Sequence, residues 1–150
     1  MPAPVSPFVY LASASPRRQE LLTQLGVQHA VLRVAVDETP RAAEGAEDLV
    51  CRLAMAKAQA GLTIRPEPIA PVLAADTAVV LGDELFGKPA DRADGARMLG
   101  RLAGRTHIVW TAVAVADGQR ERVELSRSEV TFRAVTPEEI AAYWRTGISM

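Results

Sequence analysis

Apolar and polar positions along the chain fall into alternating strand-like and helix-like blocks. Phe8 to Leu11 is a short apolar, aromatic-rich run suited to a buried strand. Ser15 is placed to cap a helix that begins at Pro16, with Leu21, Leu22 and Leu25 as its expected apolar face and Gly26 as its stop. Gln28 to Val36 reads as a second strand, ending at the turn Asp37-Glu38-Thr39-Pro40. A polar, alanine-rich loop follows, and then a helix from about Ala46 to Gly61 with Leu49, Val50, Leu53 and Ala54 at helical spacing. Pro71 to Leu81 is nearly continuous apolar sequence, as in a central strand covered on both faces. Gly82-Asp83 predicts a hairpin turn into a short strand, Glu84 to Phe86. The second half holds a helix over about Arg92 to Ala103, with Ala96, Leu99 and Leu102 facing inward. A strand is expected over His107 to Ala116, and another over about Arg122 to Val135. Thr136-Pro137-Glu138-Glu139 is a capping box that opens a last helix reaching Arg145. Early βα order followed by a hairpin-rich half predicts one α/β domain over residues 1–150, a mixed sheet with helices packed around it.

Four charged features interrupt this pattern. Arg17 and Arg18 stand in the first turn of the first helix, where the helix end is already electropositive and disfavours cations. With Ser13, Ser15 and free backbone N–H groups they make an anion site suited to phosphate, or else two solvated arginines on a surface helix. Asp76 interrupts the most apolar strand, and a carboxylate there needs a partner, a cation or local hydrogen bonds that mark a bulge. Lys57 lies four residues beyond Leu53 and so beside the buried face, either laying its stem over apolar surface or reaching a partner. Lys88 sits in Gly87-Lys88-Pro89, a stiff loop open to close backbone approach.

Composition narrows the partners. Half the residues are hydrophobic, mean hydropathy is +0.07 and net charge is −1, from 17 basic and 18 acidic residues. That balance argues against nucleic acid or an anionic membrane as partner, so phosphate binding has to be local. No segment is long enough to span a bilayer and no signal peptide is evident, which makes the cytoplasm the expected compartment. Cys51 is the single cysteine, so neither an internal disulfide nor a cysteine-based zinc site is expected, and His29 and His107 are far apart. There is neither a G-x-x-x-x-G-K-[ST] loop nor a G-x-G-x-x-G turn. What remains is a set of cations (Arg17, Arg18, Lys57, Lys88) and acids (Glu38, Asp76), the mixture that phosphate chemistry with a divalent cation requires.

The motifs that carry this set resemble those of the Maf family of nucleoside triphosphate pyrophosphatases. They are L-A-S-A-S-P-R-R-Q-E-L-L-T-Q-L-G (Leu11–Gly26), V-D-E-T-P (Val36–Pro40), R-L-A-M-A-K-A (Arg52–Ala58), A-A-D-T-A-V-V-L (Ala74–Leu81), G-K-P (Gly87–Pro89) and the run Ala96–Val113. The resemblance implies the twisted mixed sheet of the Maf and inosine triphosphatase group. It also implies hydrolysis of a nucleoside triphosphate to the monophosphate and pyrophosphate with a divalent cation, Mg2+ or Mn2+. By the same resemblance Asp76 is the proton acceptor, and Ser13, Arg18, Glu38, Lys57 and Lys88 line the substrate pocket. Arg17 and Thr77 help to choose the base, and Glu38 and Asp76 hold the metal. S-P-R-R together with T-H-x-V-x-T resembles the branch acting on dTTP and UTP, and a homodimer is compatible with the family.

The match breaks after Gly147, where family members continue with a G-E-P-x-D-K-A-G segment, further strands and a helix. A frameshift or premature stop is the leading expectation for that ending, with a naturally shorter variant covered by a partner as the alternative. An incomplete sheet exposes an edge and an apolar face. Two readings therefore stand side by side. One is a pyrophosphatase of the dTTP/UTP type. The other is a weakly active or inactive nucleotide-binding remnant working through protein contacts, in line with the family's association with septum formation.

Overall fold

The computed structural model describes residues 8–13, 15–86, 91–134, 136, 138 and 139. Their order is β1 (Phe8–Leu11), α1 (Pro16–Gln24), β2 (Gln28–Val31), α2 (Ala46–Ile64), β3 (Val72–Leu81), β4 (Glu84–Phe86), α3 (Arg92–Leu102), β5 (Thr106–Ala116) and β6 (Glu121–Thr131). The strands form one mixed sheet in the order β2-β1-β3-β5-β6, with β4 paired to β3. β1 runs parallel to β2 and to β3, whereas β4 returns antiparallel to β3 through the hairpin in which Gly82 takes a φ of 60°. This is the α/β class expected from the order of apolar blocks.

Two compact units divide these elements. The first is built from the chain up to Asp76 together with Thr111–Ser126, and the second from Thr77–Trp110 and the chain from Arg127 on. In the first unit α2 buries Leu49, Val50, Leu53, Ala54 and Ala58, and its Gly61 faces Val72 of β3. The helix–sheet contact is close because the facing residues are small. A Cβ placed on Gly61 would lie 2.6 Å from Cγ1 of Val72. In the second unit Phe86, Met98 and Leu102 form the core, with Val79, Leu81 and Phe132 packed around them. His107 is buried there, edge-on to Phe132 with ring centroids 4.8 Å apart.

Several expectations change in detail. β2 stops at Val31 rather than Val36, and the chain from Leu32 on leaves the ladder after one bond from its N–H to the Leu11 carbonyl at 2.9 Å. On α1 only Leu22 is buried, while Leu21 and Leu25 are 50% and 75% exposed. The inward row of that helix is Arg18 and Leu22, four residues apart, and the outward row is Arg17, Leu21 and Leu25. α3 turns Gly95, Met98 and Leu102 inward, so its expected face of Ala96, Leu99 and Leu102 is rotated by about one residue. β6 ends at Thr131 and is exposed along almost its whole length, as befits the last strand in the order. The capping box forms as predicted, with the Glu139 N–H donating to Thr136 Oγ1 and the Thr136 N–H to Glu139 Oε1, each at 3.2 Å.

Candidate active site

The chemistry foreseen in the sequence gathers in the first unit where β1 runs into α1, beside Lys57 of α2 and Asp76 of β3. Ser15 caps α1 by accepting from the Arg18 N–H at 3.4 Å, and Pro16 occupies the first turn, where its missing donor costs nothing. Ser13 Oγ accepts from the Ser15 N–H at 3.2 Å and from Arg18 Nη1 at 3.3 Å. The same Nη1 donates to the Ala75 carbonyl at 3.3 Å, which ties the start of α1 to the strand that carries Asp76. Burial pushes the Arg18 guanidinium below its ordinary pKa, and the nearby Asp76 carboxylate opposes that shift. Arg17, on the outward row, is exposed. Adjacent in sequence, the two arginines are separated in role by helical phase.

Lys57 holds the acidic side of the site. Its Nζ lies 2.9 Å from Asp76 Oδ1 and 2.9 Å from Glu38 Oε1. The lysine and Asp76 side chains are 17% and 15% exposed, against 59% for Glu38. At equal distance the pair with Asp76 is therefore the stronger, because solvent screens the one with Glu38. Burial lowers the Lys57 pKa, but the hydrogen bonds and charges of Glu38 and Asp76 outweigh it, and the net shift is upward.

Two carboxylates converging on one ammonium also answer the question of a metal. Among the described residues no group of three or more His, Cys, Asp or Glu comes together. A magnesium-like ion takes one or two carboxylates and completes its shell with water and phosphate oxygens, so Glu38 and Asp76 fit in type and number. Thr77, the next residue of β3, is exposed. Lys88 lies outside the described residues.

Two residues of this neighbourhood went unnoticed in the sequence. Arg52 on α2 donates from Nε to Glu44 Oε2 at 2.7 Å and from Nη2 to Glu44 Oε1 at 2.8 Å. In sequence Glu44 is one more polar residue of the loop before α2. The signal was an arginine set between Cys51 and Leu53 on a helix whose next residues are all apolar.

The chain is similar in sequence and in fold to known proteins. The family model described as "Maf-like protein" matches residues 8–150. A dTTP/UTP pyrophosphatase of Burkholderia pseudomallei is 50% identical over 156 residues, covering 97% of this chain and 75% of that protein. A dTTP/UTP pyrophosphatase of Salmonella typhimurium is 50% identical over 139 residues, covering 93% of this chain and 70% of that protein. Among solved structures, the Staphylococcus aureus Ham1 protein superposes with a TM-score of 0.53 at 14% identity, over 81% of this chain and 70% of its own, a likeness of fold. With the family model matched over residues 8–150 and half of its residues shared with these pyrophosphatase relatives over nearly its whole length, the chain belongs to the Maf family.

Proposed function

We propose that this protein hydrolyses a nucleoside triphosphate, dTTP or UTP, to the nucleoside monophosphate and pyrophosphate. The observation that carries the reading is Asp76. A carboxylate in β3, 2.9 Å from the Lys57 ammonium and one residue from the Ala75 carbonyl that Arg18 holds, supports a reading of Asp76 as a base with two cations near it for phosphate. Relatives named dTTP/UTP pyrophosphatase at 50% identity support both the reaction and the choice of base.

In this reading a water molecule attacks the α-phosphorus, and the bond to the β-phosphate oxygen breaks. Pyrophosphate leaves, and the proton of the water passes to Asp76. Arg18, with the hydroxyl of Ser13, binds phosphoryl oxygens at the start of α1, where backbone N–H groups also face an anion. Lys57 and Lys88 neutralise the remaining phosphate charge, and Arg17 and Thr77 contribute to selection of the base. Glu38 and Asp76 would hold a divalent cation, Mg2+ or Mn2+, which polarises the phosphoryl oxygens when bound. A cytoplasmic enzyme, assembled as a homodimer, completes the reading. Among the described residues no helix is long and apolar enough to cross a membrane.

Pyrophosphate release from dTTP, UTP, CTP, GTP and 7-methyl-GTP with magnesium tests it, with Asp76→Asn as control. We expect dTTP and UTP to be turned over fastest, and Asp76→Asn to cut the rate by about 10²- to 10⁴-fold. Turnover untouched by that substitution removes Asp76 as the base. No turnover of any nucleotide leaves the binding-remnant reading in its place.

A further inference from the structure

The loop from Leu32 to Gly45 carries Glu38 to Lys57, yet it has no strand or helix of its own. Side chains and tight turns hold it. The Thr39 N–H donates to Asp37 Oδ1 at 3.0 Å and the Arg41 N–H to Glu44 Oε1 at 3.1 Å, while the Glu44 N–H donates to the Arg41 carbonyl at 3.1 Å. Ala43, with φ at 57°, lies in the left-handed region. Arg52 closes the arrangement. Besides its fork on Glu44, its Nη2 donates to the Thr39 carbonyl at 3.2 Å. Thr39 is next to Glu38, and Arg52 lies five residues before Lys57 on the same helix. α2 thus grips the loop at neighbouring residues, by the backbone at Thr39 and by the carboxylate at Glu38.

The two grips are unequal. Glu38 is 59% exposed, so its pair with Lys57 is too well screened to hold a loop in place. The Arg52 and Glu44 side chains are 23% and 9% exposed and meet through two parallel hydrogen bonds, the geometry in which an arginine–carboxylate pair is strong and directional. We propose that Arg52 and Glu44 are positioning residues, whose fork fixes the loop so that Glu38 is presented at Lys57 and Asp76. The inference rests on the pyrophosphatase reading for its effect on turnover, and on the loop contacts alone for its structural part.

The test combines pyrophosphate release from dTTP with amide hydrogen exchange across residues 37–44, on the full chain. Arg52→Ala is expected to lower kcat/KM by about ten- to a hundredfold and to speed exchange across the loop. In a Glu38→Gln background Arg52→Ala should add nothing further to the loss of activity, because it acts through Glu38. Losses that multiply in the double variant, or exchange unchanged by Arg52→Ala, overturn the proposal. If Arg52→Ala does not fold, Glu44→Gln weakens the same fork without removing volume and gives the same readings. A wild-type chain that releases no pyrophosphate overturns the pyrophosphatase reading instead, and slow exchange persisting in Arg52→Ala would still overturn the clamp.

Discussion

Lys57 satisfies two carboxylates of different standing. Asp76 is shielded and has Lys57 as its ion-pair partner, whereas Glu38 is open to water. Removing the ammonium therefore costs mainly through Asp76, left as a partly buried acceptor without its donor. Lys57→Met is expected to destabilise the protein by about 2 kcal/mol, and Glu38→Gln by less than about 0.5 kcal/mol, measured by urea unfolding at neutral pH. The pH dependence has a definite sign. The folded state raises the lysine's affinity for its proton, so the stabilisation is complete below its ordinary value of 10.5 and is lost as pH rises through the folded value. Glu44 behaves in the opposite way. Its fork with Arg52 pulls its pKa down to about 2, so the clamp's contribution is complete above 4.5 and fades only as pH falls toward 2.

At the scale of elements, the face of α2 decides how closely a helix can approach the strand beneath it. Gly61 faces Val72, a fully buried β-branched residue whose methyl cannot swing aside as a long flexible side chain would. Gly61→Ala gains about 1 kcal/mol of helix propensity but forces a methyl to within 2.6 Å of another, an overpacking cost of about 1–3 kcal/mol. The net expectation is a loss of about 1 kcal/mol in chemical denaturation, accompanied by weaker turnover as α2 and Lys57 shift away from β3. Much of this architecture was legible. The caps at Ser15 and Thr136, the hairpin at Gly82 and the central strand of Asp76 are local rules that the structure obeys. What escaped was phase. Leu21, Leu22 and Leu25 look alike in a window of apolar residues, but only the row through Arg18 and Leu22 meets the sheet. α3 was misjudged for the same reason, since Met98 rather than Leu99 completes its inward row. The clamp of Arg52 on Glu44 joins the loop to α2 over an interval of eight residues, a pairing with no periodicity to announce it.

For the molecule as a whole, the α/β class follows from the pattern of apolar blocks, while the strand order and the approach of Arg18, Lys57, Glu38 and Asp76 needed the fold itself. Isolated positions in the sequence supplied the residue types and the family resemblance supplied their roles. Only the folded chain brings Lys57 within 2.9 Å of both carboxylates and the Arg18 guanidinium onto the Ala75 carbonyl beside Asp76. Global stability also carries a signature of its own in acid. His107 is 3% exposed and its Nδ1 has no hydrogen-bond partner among the described residues, and burial holds its pKa below the ordinary 6.5. The unfolded chain takes up that proton more readily, so stability is full above 6.5 and declines as pH falls, by at most about 1.4 kcal/mol per pH unit. Urea midpoints between pH 7.5 and 5 should therefore fall more steeply in the wild type than in His107→Leu, and equal slopes would rule the histidine out as the cause. The four-residue interval from Arg18 to Leu22 has a consequence for how this chain can vary. Both ends are anchored, one on the Ala75 carbonyl and one in the core, while Glu20 and Leu21 between them are exposed. The intervening residues can change identity without disturbing the site, but their number cannot change. One residue gained there would turn the guanidinium about 100° around the helix axis, onto the face where Arg17 now points to solvent.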